Sequence, residues 1–545
     1  MAKKDQNINQ NSQQVQQMPM QPLLPMGAPM MQQHVMLQVL PAPQGWRGRW
    51  LRRMGNPNAQ PGAKNIWPIW LSQYGMGVYV ISLIAVSLLF SSYPLPWYYM
   101  LSGVVSILIF FAYGFKLSKD LSVTNIRKKK TFEKRIFWIA FIPRVLFMLL
   151  MYWIFLENYG DAFGFENDDA TYYDELGQFV ARLIEKGNFH FYDEISKFCG
   201  NDDIADMGYG VYVGFIYWLT DNSVIGLRLL KCILSSWTVL LIYRLAKRNF
   251  GEQTARIAAI FCALWPNFWY YSACHLKETE MVFLVVLFVE QAEQMLRSRQ
   301  FTAWKVAPVL LIGASLFTFR TSLALVAILS LIFSIVMSSS KVVSWGKRII
   351  VGGLAISLIA ITIGNSIEEQ AKNLIETAQS GGQQKNMEWR ATRVDEGGNR
   401  QKFAKYAGAA VFAPLIFTIP FPTILRPYEA QDMQQMMNGG YFTKNLLSIF
   451  VILSMIQLLL TGHWREHLLP LSFMVGYLVV LTMSVFAQSE RFHQPVMPFE
   501  LMFATYGLSI VTQAKNKRWF RYWCALMFVA CIAWNWFKLA GRGLA

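Results

Sequence analysis

Residues 136–156 read IFWIAFIPRVLFMLLMYWIFL, and shortly after them residues 166–175 read Glu166-Asn167-Asp168-Asp169-Ala170-Thr171-Tyr172-Tyr173-Asp174-Glu175. At 1.5 Å per residue, the first stretch suffices to carry a helix across about 30 Å of hydrocarbon. The second places five acids in ten residues, in a chain with only 33 acids among 545. Carboxylates at the rim of a membrane are costly, and they mark ion, proton or substrate sites more often than packing. This junction of an apolar run and an acidic one sets the reading of the whole chain as a membrane helix bundle with chemistry at one rim.

Working outward, further apolar runs recur along the chain, which is 54% hydrophobic and 15% aromatic, with a mean hydropathy of +0.29. The expected fold is an all-α polytopic membrane protein of about thirteen transmembrane helices. Spans are predicted at 76–92, 97–115, 136–157, 225–246, 254–272, 277–297, 304–319, 321–338, 348–364, 445–461, 468–487, 495–513 and 521–539. The net charge of +17 is read as basic cytoplasmic loops and not as a nucleic-acid surface. Residues 1–45, rich in Gln, Met, Asn and Pro, lack the apolar core of a signal peptide and read as a disordered cytoplasmic tail. A basic patch follows at Arg47, Arg49, Arg52, Arg53 and Lys64, suited to anionic headgroups. The organisation expected is a tail with its patch (1–66), two additional spans (67–135), a core (136–364), a second external region (365–444) and C-terminal spans (445–545). The six cysteines show no CxxC spacing, most sit in apolar runs as small buried hydrophobes, and no Cys199–Cys274 disulfide is expected.

Lys and Arg orient the scheme. The 47–64 patch and Arg127-Lys128-Lys129-Lys130 fall inside, so the span at 136–157 exits and the acidic cluster faces outward. Residues 207–221 rise only about 22 Å as a helix, too short to cross comfortably. They are expected to lie at the outer interface, which makes 158–224 one long external loop. The second external region contains an apolar stretch, 409–425, broken by Pro414, Pro420 and Pro422. It is read as membrane-hugging or re-entrant.

The same topology puts Lys277, Glu278 and Glu280 outside, in the turn before the span at 277–297. Arg320 falls outside between two apolar runs, and Glu490-Arg491-Phe492-His493 just before the span at 495–513. This is the pattern of one external site. Asp168 and Asp169 are expected to be chemical, although either suits a helix N-cap near Ala170. Asp174 and Glu175 are expected to be the wet face of the helix that follows.

These residues resemble the GT-C glycosyltransferases, in pattern the protein O-mannosyltransferases and the lipid A aminoarabinose transferases. The likeness rests on Asp169-Ala170-Thr171-Tyr172 with Leu176, Ala181 and Gly187-Asn188-Phe189. It continues through Arg228-Leu229-Leu230, Tyr243 to Gly251, Trp265-Pro266 and Lys277-Glu278, and ends at Glu490 to Phe499. The chain departs from the aminoarabinose transferases at Asp206-Met207-Gly208-Tyr209-Gly210, which has no lysine.

The resemblance implies transfer of a sugar from a polyprenyl-phosphate donor to a hydroxyl acceptor on a lipid, glycan or protein, at the extracytoplasmic face of a bacterial inner membrane. It implies Asp169 or Asp168 as base with Glu278 beside them. Arg491, Arg320, Lys277, Tyr172 and His493 would bind the lipid phosphate. No cofactor is required by this reading; a divalent Mg or Mn ion, if used, would fall to Asp168, Asp169, Glu278 and Glu280. The alternatives are an O-antigen-type polymerase or ligase and a lipid-linked sugar flippase. Against them stand the early position of the acids and the lack of an internal repeat.

Overall fold

The computed structural model describes residues 45–54, 66–164, 167–199, 207–298, 302–337, 416–426, 435–483, 489–514 and 516–540. The predicted span at 348–364 and the N-terminal tail lie outside the described residues. The chain divides into two units, Met1–Arg52 and Arg53–Ala545. The first contributes the start of the arginine-rich helix α1 (Gly45–Met54).

Among the described residues of the second unit, six helices are long and apolar enough to cross a membrane. They are α2 (Ile69–Leu89), α3 (Trp97–Asp120), α4 (Lys129–Tyr159), α8 (Val224–Phe250), α14 (Asn438–Thr461) and α18 (Arg518–Ala540). Between them come α5 (Asn167–Glu185), α6 (Phe191–Cys199), α7 (Met207–Thr220), α9 (Glu252–Leu264), α10 (Pro266–Ala273) and α11 (Glu278–Arg297). Two shorter apolar helices follow, α12 (Ala303–Phe319) and α13 (Thr321–Met337). The later helices are α15 (Leu468–Met483), the four-residue α16 (Glu490–His493) and α17 (Met497–Gln513). Among the described residues all regular elements are helical, and one isolated antiparallel bridge joins Pro94 to Leu425. The fold is an all-α polytopic membrane protein.

Ion pairs fix how the helices run. Glu133 meets Arg244 and Arg144 meets Ser235, so α4 and α8 are antiparallel. Lys231 meets Glu280 while Arg248 meets Glu290 and Glu293, so α8 and α11 are parallel. Lys444 meets Glu500, and the backbone of Phe450 abuts Gly507, so α14 and α17 are parallel too. Phe250 stacks on Tyr506 at 4.4 Å and sets both pairs in one sense. One end of the bundle therefore holds the start of α8, α11, α14 and α17 and the finish of α4. The opposite end holds Arg127 to Arg135, Arg244, Lys247, Arg248 and Arg297.

One expectation changes. The apolar run 254–272 is not one helix, because Trp265 is extended and Pro266 starts a new helix, α10. Proline cannot donate to the preceding turn, and the carbonyls it strands need other donors. Arg144 supplies them from α4: it is fully buried and donates to Cys262 O at 3.1 Å and Ala263 O at 3.0 Å. The Trp269 indole also donates to Ala263 O, at 2.8 Å. The stretch 409–425 is described from residue 416, where it is a turn followed by irregular backbone and not a helix. Residues 207–220 form the short helix α7, at the length expected for 207–221.

Candidate active site

Gly160 ends α4 in the left-handed region, φ 73°, where a residue without Cβ is at ease. Asp161 then holds the next turn by accepting from the backbone N–H of Phe163 at 2.7 Å and of Gly164 at 3.1 Å. This returns the acidic stretch over the end of the bundle as α5. Asp169 lies inside the first turn of α5 and not at its cap.

Three elements converge there. Arg491, on α16, donates through Nη1 to Asp169 Oδ2 and through Nε to Glu278 Oε1. Glu278 stands in the first turn of α11, where a carboxylate suits the helix dipole. The Glu278 side chain is fully buried, whereas that of Asp169 is 53% exposed. The acid facing solvent is therefore Asp169. Burial works against the Arg491 charge, but Glu278 and then Asp169 outweigh it and hold the guanidinium protonated.

Two more cations flank the pair. Lys277 is buried, donates to Phe319 O at 3.2 Å and stands 5.8 Å from the Tyr173 ring. Burial, then the neighbouring Arg320, bring its pKa down to about 7, against the opposing pull of Glu278. Arg320, extended between α12 and α13, lies over the Phe492 ring at 4.3 Å. Its Nη1 is buried and meets no hydrogen-bond partner among the described residues. Three cations and two acids thus share one end of the bundle.

A groove of about 850 Å³ runs beside this cluster, between the α5–α7 layer and α12. Its lining is mostly apolar and aromatic, with Phe191, Tyr212, Phe215, Trp218 and Phe319 among it. Phe319 joins groove to cluster, because its carbonyl receives Lys277.

Residues 211–363 match the family described as dolichyl-phosphate-mannose-protein mannosyltransferase. The match covers less than a third of the chain and takes in α8 to α13, with Lys277, Glu278 and Arg320. The match supports a membrane glycosyltransferase of the GT-C type. No curated protein and no solved structure matches the chain.

The other candidate residues fall elsewhere. Asp168 belongs to α5 by its backbone, and its side chain lies outside the described residues, as does Glu166. Glu280 turns inward to a buried ion pair with Lys231 at 3.0 Å. His493 is buried, with Nδ1 3.0 Å from Lys444 Nζ. Tyr172 points to Cys199 Sγ at 2.9 Å, and no disulfide joins Cys199 to Cys274. The wet-face reading of Asp174 is corrected: it is buried, accepts from the Tyr217 hydroxyl and from Gln178 at 2.8 Å, and ties α5 to α7. Glu175 is exposed.

Among the described residues no three His, Cys, Asp or Glu side chains are grouped to hold a metal ion. The two acids that converge, Asp169 and Glu278, do so on the Arg491 guanidinium. Among the described residues that geometry does not frame a divalent site.

Sequence reasoning missed Tyr173, which is buried beside Lys277 and feels Glu278, Arg491 and Asp169. Burial, then Glu278, raise its pKa and keep it a neutral hydroxyl. A signal existed: Tyr173 is four residues after Asp169 and shares its helix face.

Proposed function

We propose that this glycosyltransferase moves a sugar from a polyprenyl-phosphate donor to a hydroxyl acceptor at the Asp169–Arg491–Glu278 cluster. The carrying observation is that guanidinium bridge between one exposed and one buried carboxylate, with Lys277 and Arg320 beside it. The acceptor oxygen attacks the anomeric carbon while its proton passes to Asp169. The bond from that carbon to the phosphate oxygen breaks, and the phosphate leaves with the electron pair. Arg491, Arg320 and Lys277 meet its charge; a guanidinium fork suits phosphate oxygens.

A donor phosphate competes for Arg491 Nη1 and so frees Asp169 when it binds. The groove beside Phe319 supports the reading, since an isoprenoid chain needs an apolar channel that ends at a cation. The positive-inside distribution supports an external site, as in a bacterial inner membrane.

The test uses purified wild type, Asp168→Asn and Asp169→Asn with polyprenyl-phosphate sugars, reading polyprenyl phosphate released. Loss in Asp169→Asn with donor binding retained is expected. Full activity in both variants would sink the base assignment.

A further inference from the structure

Three consecutive residues of α16 reach three different parts of the bundle. Arg491 reaches Asp169 and Glu278. Phe492 lies under Arg320, and its carbonyl accepts from the Tyr477 hydroxyl of α15 at 3.0 Å. His493 faces Lys444 of α14 at 3.0 Å. A four-residue helix closes too few of its own hydrogen bonds to hold itself. Its orientation comes from these tethers.

Lys444 is buried, and its ammonium meets three acceptors on three elements. Besides His493 it donates to Ile419 O at 2.6 Å, and Glu500 Oε2 of α17 lies at 3.6 Å. Ile419 belongs to the irregular segment Thr418–Leu425, whose buried backbone has no helix or sheet to satisfy it. Side chains answer instead. Asn445 donates to Thr418 O and, at 3.0 Å, to Pro420 O. Asn535 of α18 accepts from Ile424 N at 2.8 Å and donates to Pro422 O at 3.3 Å. Polar groups in an apolar bundle are costly unless bonded, and here three of them serve one strap of backbone.

We propose that Lys444 is a positioning residue for Arg491. Through His493 it sets the height and turn of α16 so that one guanidinium reaches both Asp169 and Glu278, and it takes its own bearing from the Thr418–Leu425 strap. The inference rests on reading Arg491 as the phosphate-binding cation. A misplacement near 1 Å costs on the order of 10²-fold in rate.

The test is a double-mutant cycle on the full chain, reading kcat and donor KM with a polyprenyl-phosphate sugar. Lys444→Gln is expected to lower kcat about 10- to 100-fold. Combined with Arg491→Lys it is expected to add almost nothing, because the group it positions is already altered. Losses that multiply across the double variant would overturn the proposal. So would wild-type turnover in both Lys444→Gln and His493→Gln. If Lys444→Gln elutes as aggregate, His493→Gln breaks the same tether from its other side and carries the same cycle. Unchanged turnover in Arg491→Lys alone would instead remove the phosphate-binding role of Arg491. An impaired Arg491→Lys with a multiplicative cycle would remove only the role of Lys444.

Discussion

At the scale of single residues, the site turns on which carboxylate meets solvent. Asp169→Asn is expected to lower kcat by about 10²–10⁴-fold while donor binding persists, measured by turnover beside donor affinity. Lys277 gives a second handle. With its pKa at about 7 it is a cation below that pH and neutral above it, facing Arg320, Glu278, Arg491 and Asp169. Donor KM is expected to rise as pH climbs through 7, and Lys277→Arg, charged throughout, to flatten that rise. Folding stability runs the other way. The buried ammonium costs most below about 7, and the cost fades between there and the ordinary value of 10.5, so this residue makes the fold firmer with rising pH. The grouping of Asp169, Glu278, Lys277 and Arg491 was legible from residue type and from the shared end of several hairpins. The tyrosine was misread, because helix phase and not proximity in sequence decides between Tyr172 and Tyr173. Lys444 also left a trace, a lysine opening an apolar run, which is how buried function announces itself in a membrane chain.

At the scale of elements, α5 is held over the bundle by close packing on α7. A Cβ built on Gly214 would stand 2.5 Å from the Val180 side chain and 3.0 Å from the Gly177 carbonyl. Gly214→Ala is therefore expected to cost roughly 1–3 kcal/mol and to lower turnover by lifting Asp169 away from Arg491; thermal unfolding with kinetics checks both. Helix existence was readable from hydropathy nearly everywhere the structure is described. The break at Trp265–Pro266 was not, because hydropathy is blind to a missing donor. What makes the break tolerable is Arg144, more than a hundred residues earlier, and no local pattern reveals such a partner. The same holds for the strap: its prolines announced that 409–425 is no plain helix, but not which side chains would hold its carbonyls.

At the scale of the whole molecule, the bundle is polar in charge. Basic residues gather at one end and the mixed cluster at the other, which argues for an external site. In a Cys199→Ser background, a cysteine at exposed Glu175 is expected to react with a membrane-impermeant maleimide on intact cells, and one at exposed Lys129 only after the membrane is opened. The reverse pattern would overturn the orientation. The parallel helices α8 and α11 are pinned twice, by Lys231–Glu280 near the site and by Arg248 with Glu290 and Glu293 about 20 Å along the axis. Two fastenings that far apart forbid both sliding and swivelling. On the proposed function this pair is the stator of the machine: Glu278 rides on it and is expected to keep its place when the donor binds. If the donor carries a long lipid, the part expected to yield to it is the apolar wall around the groove, where contacts are non-directional and can be remade at little cost.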